Sequence, residues 1–191
     1  MKIRSFLAFE LPGEMKSIVS QVSQGLRPFP LNVRWVRETN IHLTVVFMGE
    51  VPSEQLESIE ETVSRVCQAS GPFHIWLKGV GLFPGMRKPR VLWIGVEGDI
   101  ERLGEFRDAL QEGLVPFGVK EERRPFRPHL TLGRFKKGGK GDRALVQALD
   151  RFEGLTSPRE TLSELALFKS ELKRDGAVYT RLKAWPLGTH Q

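Results

Sequence analysis

One short string occurs twice in this chain, and its repetition limits the available folds more than any other feature. Ile41-His42-Leu43-Thr44-Val45 is matched by Pro128-His129-Leu130-Thr131-Leu132. The two histidines lie 87 positions apart in a chain of 191 residues, close to half its length, which is the spacing a duplicated lobe produces. Both strings are dominated by aliphatic residues and read as strands. On a strand, side chains two positions apart share a face, so each string presents an imidazole and a hydroxyl side by side. If the lobes pack face to face, two imidazoles and two hydroxyls line one cleft.

Strand and helix patterns alternate along the rest of the chain. Residues 2–9, Val33 to Val36, Ile41 to Met48 (closing at Gly49), Phe73 to Val80, Val91 to Val96, His129 to Phe135, Leu165 to Phe168 and Val178 to Trp185 read as strands. Apolar residues at 15, 18, 19, 22 and 26 have helical spacing. A second helix opens at Pro52, with Leu56, Ile59, Val63 and Val66 on one face. Asp99 is placed to cap a third, with Ile100, Leu103, Phe106 and Leu110 inward. Arg143 to Phe152 forms a short fourth helix, and Gly138 to Gly141 reads as a loop tip. The order is not strictly parallel, so the fold class is α+β. The length suits one domain, or two small lobes sharing one core.

A single cysteine, Cys67, excludes an intramolecular disulfide and a thiolate zinc site, and a reducing, cytoplasmic setting follows. No uncharged run approaches the ~20 residues a membrane helix needs. The opening residues lack the apolar core and cleavage site of a signal peptide. The net charge is +6. All of that excess lies between Lys120 and Arg143, which holds nine bases and three acids; the remainder balances. So focused a positive field attracts polyanions, nucleic acid first among them, although a solvated basic loop gives the same composition.

There are four histidines, and two of them sit in the repeated string. A lone His-x-Thr on a strand is a packing motif; two copies beside the strongest basic stretch point to chemistry. The set suits phosphodiester chemistry without a metal. One neutral imidazole takes a proton from the nucleophile, and the other, protonated, gives one to the leaving oxygen. Thr44, Thr131 and a nearby arginine can hold the non-bridging phosphate oxygens. Arg134 lies five residues past His129 and faces away on a regular strand; it reaches the site only if the strand bulges or ends near Gly133. His74 reads as a half-exposed structural residue, His190 carries no role, and Cys67 reads as a small core residue. No metal-ligand spacing, dinucleotide fingerprint or phosphate loop is present.

These strings, with Ile3 to Pro12, Val33-Arg34-Trp35-Val36, Pro89-Arg90-Val91-Leu92-Trp93, Phe126 to Arg134, and Leu167 to Leu172 with Gly176 and Tyr179, resemble the RNA 2′,3′-cyclic phosphodiesterases, also called 2′-5′ RNA ligases, of the two-histidine phosphoesterase superfamily. The resemblance runs along nearly the whole chain. It implies one bilobal domain over 1–191, with two pseudo-symmetric lobes, each a small mainly antiparallel sheet with outer helices, around a central cleft. It implies hydrolysis of an RNA 2′,3′-cyclic phosphate end to a 2′-phosphomonoester, with reversible 2′-5′ ligation as a secondary activity. His42 would then be the proton donor and His129 the proton acceptor. Thr44 and Thr131 would bind phosphate. From the strand position and the charge pattern, not the resemblance, Arg134 is a candidate phosphate ligand, and Arg127, Lys136, Lys137 and Lys140 are candidate RNA contacts. No cofactor, metal or membrane is implied. The partner is RNA with a cyclic phosphate end, tRNA fragments included, and the protein is expected to be a monomer. Two alternatives stand beside this reading: a cyclic phosphodiesterase for a small nucleotide, and a non-catalytic RNA-binding module.

Overall fold

The first strand, β1 (Lys2–Phe9), is buried on both faces, and that double burial organises half the molecule. Leu7 and Phe9 join the main core, whereas Phe6 and Ala8 join a second, smaller cluster with Ala166 and Phe168. Such a strand must be central in its sheet, which explains its unbroken apolar run from Phe6 to Phe9. The computed structural model describes residues 1–136, 141–174 and 176–189. After β1 come α1 (Gly13–Leu26), β2 (Val33–Trp35), β3 (Leu43–Pro52), α2 (Leu56–Gln68), β4 (Phe73–Phe83), β5 (Val91–Gly98), α3 (Ile100–Leu114), β6 (His129–Phe135), α4 (Arg143–Asp150), β7 (Glu160–Leu162), β8 (Glu164–Lys173) and β9 (Gly176–Pro186).

The strands form two antiparallel sheets, ordered β3-β1-β8-β9 and β2-β6-β5-β4-β7. This is the two-lobed α+β architecture expected, with one repeated string in each sheet. The lobes are not contiguous in sequence. The C-terminal hairpin β8-β9 completes the sheet that begins with β1, and β2 crosses to pair with β6. The two motif-bearing strands, β3 and β6, pack against each other. One core cluster draws on both sheets, including Leu43 and Val45 from the first and Leu92, Leu130 and Leu132 from the second. On that shared core we propose that residues 1–191 act as one domain.

The helices cover the core with the apolar stripes read from the sequence. Met15, Val19, Val22 and Leu26 of α1, Ile59, Val63 and Cys67 of α2, and Leu103, Phe106, Leu110 and Leu114 of α3 are all buried. Burial pushes the Cys67 thiol up to about 12, so it is an inert core residue.

Several boundaries differ from the sequence reading. β3 does not close at Gly49. That glycine adopts φ 72°, conformational space open to glycine, beside a register shift, and the strand continues to Pro52. The residues after Pro52 form a 3₁₀ turn, Ser53–Gln55, before α2 begins. β4 runs on to Phe83, since pairing with β5 outweighs its glycines. Asp99 precedes α3 but makes no side-chain cap. Its carboxylate instead accepts the His74 backbone N–H at 2.9 Å and pairs with Arg102 at 3.1 Å. The short edge strand β7 carries too little pattern to be read. Of the expected loop tip at 138–141, only Gly141 lies within the described residues.

Candidate active site

Each motif histidine is fixed in the same way. His42 Nδ1 lies 2.7 Å from the carbonyl oxygen of Asn40, and His129 Nδ1 lies 2.7 Å from that of Arg127. A carbonyl only accepts, so Nδ1 carries the proton and donates in both rings. Nε2 then has the free lone pair and has no partner among the described residues. The carbonyl stands two residues before the imidazole in each case, so the repeat extends from the sequence into the tautomer. An imidazole held in this way can give or take a proton at Nε2.

Each ring also rests on aromatic neighbours. His42 stacks on Phe6, centroids 4.7 Å apart, with the edge of Tyr179 at 5.3 Å and Phe168 at 6.2 Å. His129 meets Phe83 edge-on at 4.9 Å and Trp93 at 6.5 Å. Burial lowers the pKa of His42 from its ordinary 6.5, opposed by the bond to Asn40. Burial likewise lowers that of His129; the bond to Arg127 opposes the shift, and the nearby charge of Arg134 adds to it.

The position of Arg134 follows from a bulge. In the β5–β6 ladder Trp93 pairs with Thr131 but Leu92 pairs with Gly133, leaving Leu132 as an extra residue. The insertion reverses the alternation, so Arg134 returns to the face of His129 and Thr131 while Leu130, Leu132 and Gly133 are buried. The strand bulges at Leu132 and does not end near Gly133. The same device occurs in β3. Ala8 pairs with Thr44 and Leu7 with Val46, so Val45 is extra, and Phe47 emerges beyond it, 52% exposed. Phe47 is therefore the counterpart of Arg134, with the Arg4 guanidinium 4.9 Å from its ring centroid.

Thr44 is exposed and Thr131 half-buried, each on its histidine's face. Arg127, Arg134 and Lys136 are exposed, and Lys137 and Lys140 lie outside the described residues. Arg123 and Arg124 are paired with Glu121 and Glu122, so part of the basic stretch is neutralised locally. A cavity of about 460 Å³ opens beside His42, with Glu10, Lys16, Asn40, Phe168, Tyr179 and Arg181 in its lining. Among the described residues no three His, Cys, Asp or Glu side chains gather where they could hold a metal ion. His74 is remote from both motifs in sequence and in bonding: its Nδ1 lies 3.1 Å from the Thr161 hydroxyl.

The aromatic supports were not singled out in the sequence as site residues. Phe6, Phe83, Trp93 and Phe168 look like ordinary core residues, and Arg34 looks like one exposed arginine among many. Only the pairing of neighbouring strands brings them to the motifs.

The fold and these paired strings define a bilobal α+β protein with one His-x-Thr strand in each lobe. The chain belongs to the 2′-5′ RNA ligase superfamily, whose profile matches residues 32–174. Relatives carrying the name RNA 2′,3′-cyclic phosphodiesterase include one from Methanothermobacter thermautotrophicus, 33% identical over 187 residues and covering 98% of this chain and 100% of the relative. Another, from Thermus thermophilus, is 33% identical over 193 residues, covering 98% and 92%. Among solved structures, a Thermus thermophilus protein superposes with a TM-score of 0.81 at 29% identity, covering 98% of this chain and 100% of the other. E. coli LigT, solved with 3′-AMP, superposes with a TM-score of 0.72 at 27% identity, covering 98% and 99%. No helix among the described residues is long and apolar enough to cross a membrane.

Proposed function

We propose that this protein is an RNA 2′,3′-cyclic phosphodiesterase that opens the cyclic end to a 2′-phosphomonoester by histidine acid–base catalysis. The observation that carries the reading is the matched tethering of the two imidazoles, each with Nδ1 bound to a carbonyl and Nε2 left free. The name borne by full-length relatives supports the substrate.

In this mechanism His129, kept neutral by burial and by Arg134, takes a proton from water through Nε2. The hydroxide attacks phosphorus, and the P–O3′ bond breaks. His42, protonated at Nε2, gives its proton to O3′. The proton gained by one ring equals the proton lost by the other. The hydroxyls of Thr44 and Thr131 and the Arg134 guanidinium hold the non-bridging oxygens as charge builds. A bound phosphate anion raises the pKa of the His42 imidazole, offsetting the effect of its burial. With a 5′-hydroxyl of a second RNA in place of water, the same two groups would close a 2′-5′ bond.

Arg127 and Lys136 are exposed cations, and with Lys137 and Lys140, which lie outside the described residues, they make a basic stretch of sequence that favours RNA, tRNA fragments among its candidates, over a lone nucleotide. The reading uses no cofactor or metal, and takes the protein as a cytoplasmic monomer. The test is product analysis on an oligonucleotide ending in a 2′,3′-cyclic phosphate, with excess chelator present. A 2′-phosphate product is expected. A 3′-phosphate product, or activity lost to chelator and restored by zinc or magnesium, would overturn the mechanism; binding without turnover would leave the RNA-binding alternative.

A further inference from the structure

Arg34 and Arg134 are direct partners across the β2–β6 ladder. Directly opposed residues in an antiparallel pair share a face, and like charges placed so repel. Both side chains are exposed, and neither has an ion-pair partner among the described residues. On its other side Arg134 pairs with Val91, so no carboxylate relieves the repulsion from there. Five other arginines do meet carboxylates: Arg102 with Asp99, Arg107 with Asp108, Arg123 with Glu121, Arg124 with Glu122, and Arg181 with both Glu10 and Glu164.

The pairing is built closely. A Cβ on Gly133 would stand 2.3 Å from Cγ1 of Val33 and 3.1 Å from the Arg34 carbonyl oxygen, so the missing side chain lets β2 approach. The Val36 N–H continues the contact, donating to Leu132 O at 2.8 Å. The same bulge that turns Arg134 toward His129 sets Arg34 one strand further out on that face. Two guanidinium forks on one face, neither paired with a carboxylate among the described residues, have the chemistry to take two phosphate groups.

Resting on the cyclic phosphodiesterase reading, we propose that Arg34 binds the internucleotide phosphate immediately upstream of the cyclic end, while Arg134 serves the reacting phosphate. Arg34 is then a specificity residue: it makes an oligonucleotide a better substrate than a cyclic mononucleotide with the same base. The contact also relieves the Arg34–Arg134 repulsion, so the free protein pays for a pair that only a polyanion satisfies.

The experiment compares wild type, Arg34→Gln and Arg34→Lys on three substrates: adenosine 2′,3′-cyclic phosphate, the dinucleotide ApA ending in a 2′,3′-cyclic phosphate, and that dinucleotide with an uncharged methylphosphonate link. Arg34→Gln should lower kcat/KM on the phosphate-linked dinucleotide by roughly tenfold to a hundredfold, the range for a hydrogen bond to a charged group. It should leave the mononucleotide and the methylphosphonate unchanged. The log–log salt dependence on the dinucleotide should become shallower by about one. Arg34→Lys should restore part of the loss. Thermal stability should not fall, since Arg34→Gln removes a repulsion, and an unchanged Tm separates loss of binding from loss of fold. Equal losses on all three substrates would put Arg34 at the reacting phosphate and overturn the proposal, as would no loss on any. Wild type inactive on all three would instead defeat the phosphodiesterase reading on which the proposal rests.

Discussion

Arg134 faces the same side of its strand as His129, five residues away, because Leu132 is an extra residue between them. Five positions on a regular strand would have set them on opposite faces. Val45 does the same in β3 and brings Phe47 to the matching place. The two halves of the site thus share a bulge and a tautomer but differ at one position, a cation in one lobe and an aromatic ring in the other. That difference distinguishes two strands that otherwise match.

The asymmetry has a pH signature. Burial holds both imidazoles below 6.5, and Arg134 lowers His129 further. The kcat/KM profile of a cyclic-phosphate substrate should be a bell whose free-enzyme limbs lie on the acid side of 6.5, reporting macroscopic values for the pair. Arg134→Gln removes one lowering influence, so the limb belonging to His129 should move to higher pH. A profile that keeps both limbs in place in Arg134→Gln would show that Arg134 does not act on His129.

Either His42→Ala or His129→Ala should cost ~10²–10⁴-fold in kcat/KM. The double variant should lose less than the product of the single losses, since the two rings act as a unit. His74→Ala, bound to Thr161 and away from the motifs, should stay near wild type. An active His42→Ala beside a dead His74→Ala would mean that the repeated string is packing.

Removing a motif hydroxyl should cost less. Thr44→Val or Thr131→Val deletes one hydrogen bond to phosphate and leaves proton transfer intact, an effect of about 1.5–3 kcal/mol on the transition state. A loss as large as that of a histidine, measured by kcat/KM at the optimum pH, would give the threonines a part in proton transfer.

Neutralising Lys136, Lys137 and Lys140 together should raise KM for an oligonucleotide and leave kcat almost unchanged, because remote phosphate contacts bind ground and transition states alike. A cyclic mononucleotide should be nearly unaffected. Equal effects on both substrates would argue against an RNA track along this basic stretch.

Stability should respond to the same imidazoles. Their folded pKa values lie below the unfolded ones, so folding favours the neutral rings. The resulting stabilisation is present above the unfolded value near 6.5 and is lost as pH falls through the folded values. Between about pH 8 and about pH 5, Tm should therefore fall more in wild type than in the His42→Gln/His129→Gln double variant. An equal fall in both would assign the acid sensitivity to other groups.

The repeated string by itself determined much of this protein. Its spacing called for two lobes, its alternation put each histidine beside a threonine, and the helical stripes of α1, α2 and α3 named their buried faces. These signals are local: periods of two and 3.6 residues follow from the backbone alone. Tertiary structure decided what depends on a neighbouring strand. The bulges at Val45 and Leu132 exist because β3 holds more residues than the stretch of β1 it pairs with, and β6 more than its stretch of β5, so no reading of β3 or β6 alone reveals them. The aromatic beds come from β1, β4, β5, β8 and β9, far from the motifs in sequence. Arg34 meets Arg134 only because Gly133 lets β2 close against β6. Residue identity sets which chemistry is possible; strand pairing, a long-range contact, sets which residues share the face where it can occur.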